Sequence, residues 1–140
     1  MKKIDVTVIG ELNVDLILNE IDSFPIVGKE MLAQTMNLTL GSSSAIFANN
    51  LSSLGTKVAF IGKIGKDPFG ELVLQSLAGS GVDTKGIIQD TKAKTGATIV
   101  LNYGEDRAMV THAGAMETLQ FSDIELNRLT DSDHLHISSY

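Results

Sequence analysis

Two short runs decide what this chain can fold into: IDVTVIG, residues 4–10, and KVAFIGKIG, residues 57–65, both rich in β-branched and other apolar residues and both closed by a glycine. Runs of this length and composition read as strands buried on both faces, and such strands belong to parallel sheets covered by helices. The class is therefore α/β. Between them lies GSSSAIFANNLSSLG, residues 41–55, where Phe47, Leu51 and Leu54 recur at helical spacing and Ala45 and Ala48 keep the neighbouring face thin. Gly55 closes that helix. After the second run, Asp67 and Pro68 supply an N-cap and an N1 proline for a helix to about Leu77, closed by Gly79 or Gly81.

The remaining pieces are smaller. DLILNEI, SFPIVGKEM and QTMNLTLG read as strand-like segments punctuated by Pro25 and Gly28. In the last, Met36, Leu38 and Leu40 alternate with Asn37 and Thr39, which gives an antiparallel strand with one wet face. GVDTKGII resumes the strands; ATIVLN and RAMVTH, joined at Gly104-Glu105-Asp106, read as a hairpin. Ser122-Asp123 opens one more short helix, and DHLHISSY has the composition of a further parallel strand, so the architecture reads as cut short on its carboxyl side. No repeat, low-complexity tract or charged linker divides the 140 residues, which are read as one domain.

Composition removes several function classes. A net charge of -6, with the 11 basic residues unclustered, argues against a nucleic-acid partner. Without cysteine, no disulfide, thiolate metal site or cysteine nucleophile is possible. No signal-peptide pattern or long uncharged apolar stretch is present, so no membrane association is expected and the cytoplasm is the default compartment. GKIGKD lacks the P-loop spacing, and Gly10 is followed by ELNVD instead of the further glycines of a dinucleotide fingerprint. His134 and His136, with Asp131 and Asp133 near, lack a third well-spaced ligand, so a strand end bordered by turn residues is the reading and no metal is expected.

Two features attract a ligand. Asn13 and Asp15 stand just past the first strand, where open α/β sheets collect ligands. The serine-rich start of the first helix combines free backbone N–H groups with the positive end of the helix dipole.

GELNVD, GSSSAIFANNLSSLG and KVAFIGKIGKDPFGELVLQSLAGSGVD, in that order, resemble the amino-terminal half of the ribokinase-like, or PfkB, family of carbohydrate kinases. Gly41, Ala48, Gly55 and Gly65 fall on the family's spacing, as do Asp67 to Gly70 and Gly81 to Asp83, and THAGAM and HLHISSY fit its later rhythm. The resemblance implies a Rossmann-like domain with a small β-strand lid, formed from about residues 16–40 and 95–111 and hinged at Gly41, which in the family often pairs with a second subunit's lid. It implies transfer of a phosphoryl group from ATP, with Mg2+, to a hydroxyl of a sugar or nucleoside. The family's catalytic base and ATP surface lie in a carboxyl half that this chain does not contain. A non-catalytic sugar-binding or dimerisation module is the alternative.

Carried onto this sequence, the family's early acidic contact falls on Asp15, with Asn13 beside it; an Asx turn at the strand end is the other reading of both. Gly41 and Ser42 would bring backbone N–H groups and a hydroxyl to the substrate, while Ser43 or Ser44 could cap the helix. Tyr103 and Arg107 would reach in from the lid, Arg107 toward a phosphate or carboxylate, unless Arg107 is simply a solvated hairpin charge. Ser138 or Ser139 could face the pocket. The chain departs from the family at Ser42, Ser44 and above all Ile46, where an asparagine is usual and isoleucine cannot bond a hydroxyl.

Overall fold

The computed structural model describes residues 3–138, which form two four-stranded sheets. In chain order the elements are β1 (Ile4–Ile9), β2 (Asn13–Asn19), β3 (Thr35–Leu40), α1 (Ser43–Ser53), β4 (Val58–Gly65), α2 (Pro68–Gly79), β5 (Asp83–Asp90), β6 (Gly96–Tyr103), β7 (Asp106–His112), α3 (Leu126–Thr130) and β8 (Ser132–Ile137). Two short 3-10 turns, Gly114–Thr118 and Phe121–Asp123, separate β7 from α3.

The first sheet has the order β5-β4-β1-β8 and is parallel at every junction, as the two apolar runs require. Val8 of β1 and Val58, Phe60 and Ile64 of β4 pack with Ala45 and Ala48 of α1 and Val73 and Leu77 of α2 in one core. The alanines let α1 lie close to the sheet. On the opposite face, buried Thr7 reaches the Arg128 carbonyl of α3 at 3.4 Å. There too the Lys63 ammonium of β4 holds the Thr118 carbonyl at 3.0 Å and the Asp123 carboxylate at 3.1 Å. The 3-10 segment is thus tied down across that face.

The second sheet has the order β3-β2-β6-β7. Its central pair β2 and β6 is parallel and joined over a long stretch of chain, Asn13 opposite Gly96 and Leu18 opposite Leu101, while β3 and β7 flank it antiparallel. Asp67 fastens this sheet to the first layer. Its carboxylate caps α2 by accepting the Gly70 N–H at 2.9 Å, and it also accepts the Thr95 N–H at 2.8 Å and the Thr95 hydroxyl at 2.7 Å, at the entry to β6. A side chain at Gly65 would strike this latch, since its Cβ would stand 2.5 Å from the Thr95 nitrogen and 2.7 Å from Asp67 Oδ2.

Three expectations are corrected. SFPIVGKEM forms no strand: residues 22–30 are exposed, with a turn closed by the Lys29 N–H on the Ile26 carbonyl at 3.1 Å and Gly28 at φ +80°. Pro25 can offer no ladder N–H there. Ser122-Asp123 does not open a helix, because the Asp123 carboxylate turns back to the Gln120 N–H at 3.0 Å and closes the 3-10 turn, leaving α3 to begin at Leu126. Nor do the serines cap α1: Ser42 sits at its N-cap position with φ 66° and no side-chain cap bond. The Ser42 and Ser44 hydroxyls reach the Glu11 carbonyl instead, at 2.7 and 3.0 Å, and so fix the loop after β1.

Candidate functional site

Strand alternation gives the second sheet one polar face and one apolar face. Asp15 of β2 lies beside Thr98 of β6, Thr98 beside Thr111 of β7, and farther along Asn102 lies beside Arg107. All five line a cleft of about 950 Å3, whose other wall comes from the loop after β1 (Gly10, Glu11), Ser42, the 3-10 segment (Met116, Glu117) and Ser138 after β8. The cleft therefore runs between the carboxyl ends of β1 and β8 and the underside of the second sheet.

Asn13 is its deepest polar group, 5% exposed. Its amide donates to the Thr98 hydroxyl at 2.9 Å, which lies 2.9 Å from the Thr111 hydroxyl, so a polar chain crosses three strands. The Asn13 side-chain oxygen is buried and has no hydrogen-bond partner among the described residues. An acceptor shut away from water without a donor is costly, and it marks a place where a donor belongs. Beside it the Asp15 carboxyl is pushed above the usual carboxylate range by burial, an effect partly offset by the Arg107 charge. Gly41 lets the two converge: a Cβ there would collide with Asp15 Oδ1 and stand 2.5 Å from Asn13 Oδ1.

The structure thus brings together Asn13, Asp15, Ser42 and Arg107, with Gly41 against the first two. The Gly41 N–H is already donated to the Asn13 carbonyl at 2.9 Å, so it is not free for a substrate; the Ser42 hydroxyl gives its proton to the Glu11 carbonyl and keeps its acceptor side. Ser43 is exposed beside the cleft, 3.3 Å from the Ser138 hydroxyl. Tyr103 stands apart: one residue beyond Asn102, it turns to the opposite face of β6 and meets Phe24 edge-on at 6.0 Å. Ser138 lines the cleft, and Ser139 lies outside the described residues. Ile46 is 42% exposed on α1 and does not line the cleft. His136 stacks on Phe47 with ring centroids 4.2 Å apart.

Sequence reasoning missed Thr98, Asn102 and Thr111. The signal was present: in ATIVLN, Thr98 and Asn102 share one face of the strand, though Val100 between them interrupts the polar alternation.

The profile of the pfkB family carbohydrate kinases matches residues 3–140. The chain belongs to that family. Among its pfkB relatives is the 5-dehydro-2-deoxygluconokinase of Clostridium beijerinckii, 33% identical over 127 residues, an alignment covering 90% of this chain and 35% of the relative. The fold matches the fructokinase of Halothermothrix orenii with a TM-score of 0.83 at 29% identity, over 96% of this chain and 46% of that one. It also matches a fructokinase of Xylella fastidiosa solved with bound ATP, with a TM-score of 0.80 at 27% identity, over 96% of this chain and 42% of that one. The pfkB chain described here thus spans about a third of that curated relative's length and less than half of each structure. No helix among the described residues is long and apolar enough to cross a membrane.

Proposed function

We propose that this chain forms the sugar-holding part of an ATP-dependent carbohydrate kinase that phosphorylates a hydroxyl of a sugar or nucleoside in the cytoplasm. The observation that carries the reading is the pair of acceptors beneath Gly41: the partnerless Asn13 oxygen and the Asp15 carboxylate, side by side in one cleft. Polyol hydroxyls are donors, and an ionised carboxylate only accepts, so a sugar's O–H groups complete both sites at once. The names of the relatives, fructokinase and 5-dehydro-2-deoxygluconokinase, are those of kinases acting on such molecules.

In this reading the second sheet is a lid over the sugar, covering about residues 16–40 and 95–111 and turning on Gly41, and its closure keeps water from the reacting hydroxyl. The ATP and Mg2+ that the reading calls for do not fit the residues described. No three His, Cys, Asp or Glu side chains among them gather to hold a metal, and Arg107 is the one cationic side chain lining the cleft. Their binding, and the base that takes the hydroxyl proton, are assigned to polypeptide outside this chain.

A lid-to-lid dimer is favoured by the outer face of the second sheet. There Leu16, Leu38, Ile99 and Val110 form one apolar row across four strands, with Leu38 and Ile99 each 41% exposed and Val110 65% exposed. Unpartnered apolar faces of this kind suit pairing with a second copy. Sedimentation tests the dimer: Leu38→Lys or Val110→Lys is expected to give a monomer, and a wild-type chain that stays monomeric at high concentration overturns it.

Calorimetric titration across hexoses, pentoses, sugar acids and nucleosides tests the site. At least one is expected to bind, and Asp15→Ala to weaken it roughly tenfold or more, the loss of a charge-assisted hydrogen bond. Unchanged binding in Asp15→Ala refutes the site. ATP-dependent phosphorylation of the same panel is read on the complete gene product; sugar binding without transfer there leaves the non-catalytic sugar-binding module and removes the kinase reading.

A further inference from the structure

The part of the cleft wall made by Met116, Glu117 and Leu119 belongs to no α-helix or strand; two 3-10 turns and the residues between them carry it. Turns of this kind have poor hydrogen-bond geometry and little stability of their own, so what they are tied to decides where they stand. The amino end is tied to the base of the second sheet. There the Ala115 N–H donates to the Lys94 carbonyl at 2.7 Å, and the Met116 methyl lies over Gly96, where a Cβ would stand 2.7 Å from it. The carboxyl end is tied by Lys63, the one charged group in a strand otherwise apolar or glycine. Its side chain is 13% exposed, and an ammonium so placed costs stability unless oxygens surround it. The Thr118 carbonyl accepts from it at 3.0 Å and the Asp123 carboxylate at 3.1 Å, with the Asp90 carboxylate 3.9 Å away.

Each of these oxygens is built into the wall or its footing. Asp123 also accepts the Gln120 N–H at 3.0 Å and so closes the second turn. Asp90 accepts the Lys92 and Ala93 N–H groups at 2.7 and 3.1 Å, which shapes the bend that presents the Lys94 carbonyl to Ala115. Both ends of the wall thus lead back to the same ammonium, although neither Lys63 nor Asp123 lines the cleft. We infer that Lys63 is a positioning residue of the cleft, holding the wall of Met116, Glu117 and Leu119 at the spacing a ligand needs without touching that ligand. This rests on the reading of the cleft as a sugar site and adds the group that sets its width. An apolar side chain in its place would occupy the space yet leave the Thr118 carbonyl and Asp123 without their donor, and the turns free to shift.

The test is calorimetric titration of the full chain with D-fructose, D-ribose, D-gluconate and adenosine, alongside NMR spectra of the chain with isotope-labelled methionine methyls. In Lys63→Leu, with folding checked by circular dichroism, the ligand that wild type binds most tightly is expected to bind roughly tenfold more weakly. The Met116 methyl resonance is expected to move while those of Met31 and Met36 stay, and Lys63→Arg to restore most of both effects. Asp123→Ala leaves the ammonium with Thr118 and Asp90, and is expected to weaken binding by about threefold; it decides the matter where Lys63→Leu does not fold. Combined with Lys63→Leu it should add little, since the two act through one wall. Unchanged affinity in folded Lys63→Leu or in Asp123→Ala, or a loss with the Met116 resonance in place, overturns the inference and leaves the sugar site standing. Binding of none of the probes by the wild-type chain overturns both.

Discussion

Replacing Asp67 by alanine is expected to cost about 3 kcal/mol, because three donors lose their acceptor in one step. Loss of an N-cap costs about 1 kcal/mol. The two bonds from Thr95, at 2.8 and 2.7 Å, go to a charged group and would be larger still, but the carboxylate is half-buried and water reaches it, so about 1 kcal/mol each is the fair figure. Thr95 itself is 2% exposed, so its N–H and hydroxyl cannot simply turn to solvent. With a urea m-value of about 1.5 kcal/mol/M, the midpoint falls by about 2 M. Glu71→Ala, an exposed acid in the same first turn, is the control and is expected to move it by less than about 0.5 M. The pH dependence has a definite sign. Partial burial raises the Asp67 carboxyl, but the donors from Thr95 and Gly70 outweigh it and hold it below the usual carboxylate range. Its contribution is thus full above about pH 4, the unfolded value, and is lost as pH falls through the lower folded value. A midpoint in Asp67→Ala within about 0.5 M of wild type, or a difference that grows on acidification, would refute the latch.

Three further outcomes follow from the site. Gly41→Ala is expected to fold, since the colliding atoms are side-chain ends, yet to lose sugar affinity by roughly tenfold or more as Asp15 and Asn13 are pushed apart; unchanged affinity in titration would disprove their convergence. Asp15→Asn is expected to raise the urea midpoint at pH 7 while weakening sugar binding. Burial holds this carboxyl above its unfolded value, so its stabilising, protonated form is fully present below about pH 4 and is lost as pH rises; the gain in Asp15→Asn should fade as pH falls back through that window, and a gain that persists at pH 3 counts against it. Lys63→Met is expected to speed amide exchange of residues 115–123 roughly tenfold without touching β1, because the half-buried ammonium is the tie across that face; uniform exchange changes would assign it a global role.

The parallel sheet was legible because IDVTVIG and KVAFIGKIG carry their burial in composition, and the start of α2 because Asp67-Pro68 is a local signal read from adjacent residues. The β6–β7 hairpin was legible for the same reason, its turn announced by Gly104. SFPIVGKEM was misread because apolar residues there have no sheet to join, a fact settled by partner strands elsewhere in the chain. The serines at 42 and 44 were read as helix caps or ligand groups, but the Glu11 carbonyl competes for them from 31 and 33 residues away. Asn13 and Asp15 were placed by their position after β1; that one of them would lack a donor depends on Thr98, which sequence adjacency does not bring near. Tyr103 and Asn102 exchange places between expectation and structure because one step along a strand reverses the face.

The pairing of β2 with β6 joins Asn13 to Gly96 and so spans 83 positions of the chain. During synthesis, at roughly 5–20 residues per second, β2 and β3 leave the ribosome several seconds before the strand that completes their sheet. For that interval a two-stranded ribbon bearing Leu16, Leu18, Met36 and Leu38 stands with an open edge, so nascent-chain yield should depend on holding chaperones and on translation speed between residues 40 and 112 more than on final stability.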